Sequence, residues 1–246
     1  MKSIFITGGA RGIGLETARL FLEKGWRVGI FDKDEEAIRQ ATDELNHSEL
    51  AAFTGDVLVE RDIQMALESF TTGSEGKLDV LHNNVGMVEV GEFDQQPLEV
   101  HLRIVDINLK GFLVTTMTAL PYLKKAGKAQ IINMSSASAL YGNPEITTYA
   151  ATKAAIKSLT EAWNIAFRKY GIRSADLLPI YVRTRMVDDY HQKYRNLKLK
   201  DVKLTAPMVA KVVWKAVHGG RVHYCVGLDT KIYARLLKWL DRKSVV

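Results

Sequence analysis

The sequence predicts an α/β fold, in which a doubly wound parallel sheet of about seven strands carries helices on both faces. Short apolar runs alternate along the chain with amphipathic segments of helical length. A glycine-rich stretch directly follows the first apolar run, and polar motifs recur where later runs end. Connections between parallel strands are right-handed, so these elements build a doubly wound sheet. Ligands of such sheets bind beyond the carboxyl ends of the strands, where the motifs fall.

Each element is bounded by the pattern of apolar and polar residues. The apolar runs predict strands at residues 4–7, 27–31, 50–54, 80–83, 130–134, 173–178 and 223–226. The amphipathic segments predict helices at residues 12–24, 34–45, 60–70, 97–124, 147–170 and 206–217. Residues 185–205 are polar, charged and long for a connection inside a compact domain, which is typical of a functional loop. We expect that segment to shape a ligand pocket.

The composition is that of an ordinary globular protein. Of the 246 residues, 47% are hydrophobic and 25% are charged. No apolar run reaches the roughly 20 residues that a membrane-spanning helix needs, so no stable membrane insertion is expected. The N-terminus runs too soon into glycines to be a secretory signal. The single cysteine, Cys225, excludes an internal disulfide and fits a reducing cytoplasm.

The formal net charge of +6 has two interpretations. A basic protein can bind nucleic acid or an acidic partner. Alternatively, the positive charge is spread over a solvated surface and helps to hold a phosphate-bearing cofactor. The chain has no arginine-rich tail and no zinc-ligand spacing, which favours the second interpretation. We therefore expect no nucleic-acid partner and no bound metal.

A glycine-rich stretch at residues 7–14 lies between the first strand and the first helix. Glycines let the backbone turn sharply and approach a pyrophosphate, and the helix N-terminus adds free N–H groups and a positive dipole end. A tight turn without a ligand is the plainer interpretation, but the strand–loop–helix context favours a Rossmann-type nucleotide site. The residues expected to hold the cofactor there are Gly8, Arg11, Gly12, Ile13 and Gly14.

Carboxylates follow the second and third strands. Asp32 ends the second strand, where it can accept both ribose hydroxyls of an adenosine and would repel a 2′-phosphate. Asp56 and Val57 follow the third strand, where the carboxylate can reach an adenine amino group. The plainer interpretations are a surface turn at Asp32 and a turn cap at Asp56. We count all three residues as candidate cofactor contacts.

Tyr149 and Lys153 lie four residues apart on one face of a predicted helix. A free tyrosine has a pKa of about 10 and is a poor base near neutral pH. A nearby cation lowers that pKa, so the phenol can exchange a proton with an alcohol or carbonyl. Ser136 ends the fifth strand and can hold the substrate oxygen beside Tyr149. The alternative is an amphipathic helix with a surface lysine.

Four motifs in this order resemble the short-chain dehydrogenase/reductase family, in its single-domain branch of about this length. They are the glycine-rich stretch 7–14, the Asn-Asn-Val-Gly run at 83–86, Asn108 in an Ile-Asn-Leu-Lys-Gly run, and Ser136 with Tyr149 and Lys153. The match covers residues 1 to about 184 closely and the rest loosely. The resemblance implies that the whole chain, 1–246, is one dinucleotide-binding and catalytic domain.

The resemblance also implies a role for each catalytic residue. Tyr149 would be the general acid or base, and Lys153 would lower its pKa and hold the nicotinamide ribose. Ser136 would orient the substrate oxygen, and Asn108 would hold a water that connects Lys153 to solvent. Hydride would move between the nicotinamide and the substrate carbon. The further cofactor contacts that the resemblance implies are Asn83, Val85, Gly86, Tyr149, Lys153, Pro179, Val182 and Thr184.

Two features of this chain bear on how the cofactor fits. Ile180 stands where the family usually has a glycine after Pro179, and its branched side chain restricts the backbone beside the nicotinamide. Arg11 resembles a basic position of NADP-using members, and Lys33 adds positive charge, whereas Asp32 favours NAD. A carboxylate within reach of the 2′ position should outweigh flexible cations, so NAD is predicted rather than NADP.

The predicted function is hydride transfer between NAD(P) and an alcohol or carbonyl group of a small to medium, partly apolar substrate. The candidate pocket residues, which ordinary packing would explain equally well, are Met87, Val88, Tyr141, Tyr181 and Met186. One alternative is an NADPH-dependent 3-oxoacyl-thioester reductase, which the basic surface suits because an acyl carrier protein is acidic. Another is a catalytically silent, nucleotide-binding regulatory protein.

The resemblance further implies a homodimer or homotetramer, with the helices at 98–124 and 147–170 packed between subunits. A basic amphipathic helix is predicted at residues 230–241. This helix could dock on the body of the protein, contribute to a subunit contact, or lie on an anionic membrane surface. Docking or subunit contact is the favoured interpretation.

Overall fold

The computed structural model describes residues 1–183, 203–227 and 230. The strands are β1 (Ser3–Thr7), β2 (Arg27–Asp32), β3 (Leu50–Thr54), β4 (Val80–Asn83), β5 (Ala129–Met134), β6 (Ile172–Pro179) and β7 (His223–Val226). The helices are α1 (Gly12–Glu23), α2 (Glu35–Leu45), α3 (Glu60–Thr71), α4 (Leu98–Val105), α5 (Gly111–Ala126), α6 (Thr147–Ala166) and α7 (Ala206–His218). All seven predicted strands are therefore present, with ends shifted by one residue at most.

The seven strands form one sheet in the order β3-β2-β1-β4-β5-β6-β7, and each neighbouring pair is parallel. The strand order reverses between β1 and β4, whose last residues, Thr7 and Asn83, are paired in register. The predicted doubly wound parallel sheet is thus confirmed. Its crevice at the carboxyl ends of β1 and β4 is the place where such sheets bind ligands.

Two apolar layers cover the faces of the sheet because side chains alternate along each strand. In β1, Ile4 and Ile6 join the layer formed with α1, α2 and α7, whereas Phe5 joins the layer formed with α3 and α5. Trp163 of α6 packs against the second layer. All three β1 side chains are fully buried, so the first strand runs through the core and delivers the glycine-rich stretch to the sheet edge.

The two long predicted helices differ in detail from the expectation. The helix predicted at 97–124 is continuous but consists of α4, a π-helical turn at Asp106–Lys110, and α5. The helix predicted at 147–170 ends at Ala166 and is followed by a 3₁₀ turn at Arg168–Tyr170. Gly171, with φ of +72°, then reverses the chain into β6.

Two predicted segments fall largely beyond the described residues. Only the end of the loop 185–205 is described, where Thr205 forms an isolated parallel bridge with Arg183. The backbone N–H of Arg183 also donates to the carbonyl of Leu204 at 2.8 Å. The helix predicted at 230–241 lies outside the described residues, apart from Thr230.

A buried histidine in β4 predicts a loss of stability in acid. His82 is fully buried, and desolvation lowers its pKa from 6.5 to about 4. Between these pH values the unfolded chain binds the proton and the folded chain does not, so stability falls as pH drops through that window, by at most about 1.4 kcal/mol per pH unit. We expect His82→Leu to unfold with a shallower dependence on pH between 6.5 and 4.

Urea unfolding at a series of pH values checks this prediction. The matched control is His47→Gln, since His47 is exposed in the turn before β3. An unchanged slope in His82→Leu, or an equal change in both variants, would show that His82 is not the source of the acid lability.

Candidate active site

The glycine-rich stretch forms a tight loop at the carboxyl end of β1. Gly8 and Gly12 have φ of +63° and +55°, in the left-handed region that favours glycine. A Cβ on Gly14 would lie 2.1 Å from the Gly8 carbonyl oxygen, so only glycine fits there. In the described part of the chain, no side chain caps the N-terminus of α1, where Ile13 is half-buried. The backbone N–H groups at the N-terminus of α1 are therefore available to phosphate oxygens. The loop and the start of α1 together fit a dinucleotide pyrophosphate.

Two residues that the sequence-based prediction missed hold this loop in place. The Asn84 amide donates to the Gly8 carbonyl at 2.9 Å. The Thr7 hydroxyl accepts from the backbone N–H groups of Asn84 and Val85 at 3.2 and 3.4 Å. These bonds fasten the ends of β1 and β4 together. The signal was present in the sequence, because both are polar residues at the ends of strands that adjoin in this topology.

The end of β2 carries two carboxylates. Asp32 is half-buried and accepts from the backbone N–H groups of Ala10 and Asp34 at 3.4 and 3.3 Å. Asp34 caps α2 by accepting from the N–H of Ala37 at 2.9 Å. The Arg11 guanidinium forms an ion pair with Asp34. The cation that pointed toward NADP is therefore engaged by a carboxylate that the sequence-based prediction did not weigh.

Asp56 and Val57, which follow β3, both contact other residues of the protein. Asp56 accepts from the N–H of Leu58 at 2.9 Å, so it caps the turn, as in the plainer interpretation. Its own N–H donates to Asp62 at 3.0 Å. Val57 is buried, and a Cβ on Gly111 would lie 2.9 Å from its methyl group, so this side chain packs against the start of α5. Cofactor contacts from Asp56 and Val57 stay predictions.

The Asn-Asn-Val-Gly run begins at the last residue of β4, Asn83, whose side chain faces the interior. The Asn83 amide donates to Thr116 and to Asn133, each at 3.0 Å, and the residue is 1% exposed. Its side chain thus joins α5 and β5, and a cofactor contact from Asn83 would have to use its backbone. Gly86 lies close to the catalytic groups, because a Cβ there would be 3.4 Å from the Lys153 ammonium nitrogen.

Asn108 lies in the π-helical turn and is fully buried. Its Oδ1 accepts from the N–H of Met87 at 2.8 Å, and its Nδ2 donates to the Met87 carbonyl at 2.8 Å. Nδ2 also lies 3.3 Å from the hydroxyl of Thr152 in α6. A π turn adds one residue to the helical repeat and is common at functional sites. In this protein the π turn contains Asn108, whose side chain joins Met87, after β4, to Thr152 of α6.

Ser136, Tyr149 and Lys153 come together at the carboxyl end of β5. The Lys153 ammonium donates to the Met134 carbonyl at 2.8 Å and lies 5.5 Å from the centre of the Tyr149 ring. Ser136 lies two residues beyond β5, and its hydroxyl acts on Tyr149 in the direction that lowers the pKa of the phenol. The predicted constellation therefore assembles on one site, and the lysine is buried rather than on the surface.

Burial shifts the pKa values of both groups toward their neutral forms. Desolvation lowers the pKa of Lys153 from 10.5 to about 7. Desolvation raises the pKa of Tyr149 above 10.0, and the hydrogen bond with Ser136 opposes that rise. This direction is opposite to the lowering expected from a nearby cation. With its pKa raised, Tyr149 is a phenol near neutral pH, which is the form that donates a proton.

The remaining predicted contacts follow β6 or rim the site. Pro179 ends β6 in register with Val226, Ile180 is half-buried, and Val182 is buried in the core. Of the candidate pocket residues, Met87, Val88 and Tyr141 are half-buried, and Tyr181 is 43% exposed. Thr184 and Met186 lie outside the described residues.

Comparisons with known proteins show the family to which the chain belongs. A family model described as short chain dehydrogenase matches residues 2–195. The L-fucose dehydrogenase of Mus musculus is 35% identical over 173 residues, which cover 70% of this chain and 62% of that protein. The crystal structure of the 3-ketoacyl-(acyl-carrier-protein) reductase from Brucella melitensis, complexed with NADH, is similar at 26% identity and a TM-score of 0.82, covering 92% of this chain and 96% of that one.

A further solved structure shows likeness of fold alone. The actinorhodin polyketide ketoreductase with NADPH has a TM-score of 0.83 at 24% identity, covering 92% of this chain and 95% of that one. The first of these two structures holds NADH and the second holds NADPH. The chain therefore belongs to the short-chain dehydrogenase family and is an oxidoreductase that acts on CH–OH or carbonyl groups with NAD(P).

Proposed function

We propose that the protein transfers a hydride between NAD and an alcohol or carbonyl group, with Tyr149 as the general acid or base. The observation that carries this proposal is the buried Lys153 ammonium, 5.5 Å from the centre of the Tyr149 ring and bonded to the Met134 carbonyl, at the sheet edge where the dinucleotide loop lies. Nicotinamide, when bound, supplies or accepts the hydride. Tyr149 gives its proton to a carbonyl oxygen in reduction and takes it back in oxidation.

The neighbours of Tyr149 have distinct tasks in this mechanism. The Ser136 hydroxyl holds the substrate oxygen against the phenol and stabilises charge that develops on it. Lys153, once the ribose is bound, holds that ribose and stabilises the phenolate. Asn108 holds the chain at Met87 and contacts Thr152, and we propose that it also anchors a water between Lys153 and solvent.

The proposed substrate is a small to medium, partly apolar alcohol or ketone. Half-buried Met87, Val88 and Tyr141 support an apolar pocket wall. A second candidate is a 3-oxoacyl thioester with NADPH. The thioester is supported by the likeness to the reductase from Brucella melitensis, whose complex holds NADH, and by the net charge of +6.

A turnover screen separates the two candidates. Secondary alcohols, sugars, ketones and a 3-oxoacyl thioester are each offered with both dinucleotides while the absorbance of reduced nicotinamide is followed. Turnover of alcohols or ketones with NAD supports the first candidate. Turnover confined to the thioester with NADPH would replace it with the second.

We expect the protein to prefer NAD over NADP by tenfold or more in kcat/KM, about 1.4 kcal/mol or above. Asp32 repels a 2′-phosphate, and the exposed ion pair with Asp34 offsets part of the attraction of Arg11 for one. Steady-state kinetics with both dinucleotides check this, and Asp32→Ala should narrow the ratio. The control is Asp43→Ala, which removes an exposed carboxylate from α2. A preference for NADP that persists unchanged in Asp32→Ala would contradict the prediction.

We also propose a homodimer or homotetramer, assembled through α4, α5 and α6. The exposed apolar side chains on these helices support it: Leu98, Leu102, Val105, Leu113, Met117 and Ile165.

Across residues 1–183 and 203–227, no helix is both long and apolar enough to cross a membrane. A cytoplasmic location and a single domain stay predictions.

A further inference from the structure

His101 lies on the helix face that also carries Asn108 to the active site. The spacing His101, Ile104, Asn108 places the three side chains on one side of α4 and the π turn, and all three are buried. Asn108 has an assigned place in the mechanism. His101, about two turns earlier, has none, although it is only 8% exposed and both of its ring nitrogens have partners.

The two nitrogens of His101 contact two different segments. Nδ1 lies 2.7 Å from the Thr148 hydroxyl, and Nε2 lies 3.1 Å from the Phe93 carbonyl. A carbonyl can only accept, so Nε2 donates, and in the neutral ring the Thr148 hydroxyl donates to Nδ1. The ring also packs on the Phe93 side chain, with centroids 4.5 Å apart.

His101 and Asn108 make contacts of the same kind, because each side chain joins α6 to the segment between β4 and α4. Asn108 joins Thr152 of α6 to Met87, and His101 joins Thr148 of α6 to Phe93. Thr148 and Thr152 are one helical turn apart, and Tyr149 lies between them. Met87 and Phe93 belong to the segment 87–97, which leads from β4 to α4. The two side chains therefore fix the turn that carries Tyr149 and this segment together.

A backbone hydrogen bond also joins the segment 87–97 to the residues just before α6. The N–H of Gly91 donates at 2.9 Å to the carbonyl of Glu145, which precedes α6 by two residues. The segment 87–97 is thus joined to the start of α6 both by this bond and through His101. A shift of either element would move Tyr149 relative to a substrate that contacts Met87 or Val88.

We propose that His101 is a positioning residue, which holds Tyr149 in place through Thr148 and holds the segment 87–97 in place through Phe93. The inference rests on the proposed role of Tyr149 as the proton donor. Loss of the Thr148 contact should lower kcat, because that contact aligns the phenol. Loss of the Phe93 contact should raise KM, because that contact shapes the wall of the pocket beside the substrate.

Four variants separate the two contacts. His101→Gln places an amide nitrogen near Nε2 and keeps the Phe93 contact, whereas His101→Asn places polar atoms near Nδ1 and keeps the Thr148 contact. Thr148→Val removes the hydroxyl at nearly constant shape, and His101→Leu removes both contacts. The control is His218→Leu, because His218 also bonds a backbone carbonyl and packs on a ring, that of Trp214, but lies at the end of α7.

We expect His101→Gln and Thr148→Val to lower kcat about tenfold with KM nearly unchanged, within the 10²-fold that a small misplacement can cost. His101→Asn should raise KM more than it lowers kcat, and His101→Leu should show both effects. His218→Leu should retain the wild-type values. Assays run well below the unfolding temperature of each variant. Wild-type kcat and KM in all four site variants, or changes that merely follow the loss of thermal stability, would overturn the proposal.

Hydrogen exchange makes the outcome independent of turnover. His101→Leu should exchange faster than wild type in residues 87–97 and in the first turn of α6, and His218→Leu should not. Unchanged exchange in both segments would overturn the role of His101 even if the enzyme is active. Faster exchange in a protein that turns over none of the substrates would instead leave the two contacts established and contradict the proposed function.

Discussion

Tyr149→Phe is expected to lower kcat on the order of 10²–10⁴-fold, because the variant removes the proton that the mechanism transfers. The ring remains, so the half-buried site at the start of α6 keeps its shape. NAD binding is expected to stay within a few-fold of wild type, since the dinucleotide loop is built at β1 and α1. Single-turnover kinetics, with the NAD dissociation constant measured separately, check both halves of the prediction.

Tyr170→Phe is the matched control for the tyrosine. Tyr170 is 36% exposed in the 3₁₀ turn after α6, where Lys124 lies over its ring at 4.0 Å. Loss of that hydroxyl should leave kcat unchanged. If Tyr149→Phe retained near-wild-type turnover, another group would have to supply the proton, and the central role given to Tyr149 would be wrong.

Lys153→Met is expected to abolish most activity and at the same time stabilise the cofactor-free protein. Activity should fall about 10²-fold or more, because the phenolate and the ribose lose their cation. The folded protein should gain stability because Lys153 is only 2% exposed, and its ammonium donates to a neutral group, the Met134 carbonyl. Loss of that hydrogen bond offsets the gain by only about 1 kcal/mol.

The pH dependence of this gain has a definite sign. The pKa of Lys153 is about 7 in the folded protein and 10.5 in the unfolded chain. Below about pH 7 both states are protonated and the cost of burying the charge is fully present. Between the two values the unfolded chain binds more protons, so wild-type stability rises with pH. The advantage of Lys153→Met is therefore largest below pH 7 and shrinks as pH rises toward 10.5.

Urea unfolding of the cofactor-free proteins across this range measures the effect. Lys157→Met is the control, since Lys157 lies one turn further along α6 and pairs with Glu161 at the surface. That variant should retain activity and show no such gain. A Lys153→Met protein that is less stable than wild type below pH 7 would contradict the assignment of a desolvated ammonium.

The order of strands and helices could be predicted because apolar spacing differs between the two and because glycines mark the turns. Ser136 could be placed because it follows a strand whose carboxyl end lies at the sheet edge. Tyr149 and Lys153 could be placed from their four-residue spacing on a helix, and Asn108 from the family resemblance. Asn83 shows where such placement stops. It ends a strand as Asp32 does, but its side chain shares the face of Leu81, so it turns into the interior and bonds Thr116 and Asn133.

Contacts between residues far apart in sequence could not be predicted from local pattern. The partner of Arg11 is Asp34, 23 positions away, and nothing near Arg11 indicates it. The partners of His101 are 8 and 47 positions away, so its role appears only when α4 packs on α6. The pKa of Tyr149 depends on how deeply α6 is covered, which the spacing of Tyr149 and Lys153 does not reveal.

The most direct test of hydride transfer with Tyr149 as the proton donor uses NADH in which both hydrogens of the reactive carbon are replaced by deuterium. Wild type and Tyr149→Phe, each shown to bind NADH, are incubated with a ketone from the turnover screen, and the alcohol product is analysed by mass spectrometry. The mechanism predicts deuterium on the carbinol carbon with wild type and at least 10²-fold slower formation with Tyr149→Phe. Alcohol formed without deuterium, or at equal rates by both proteins, would contradict it.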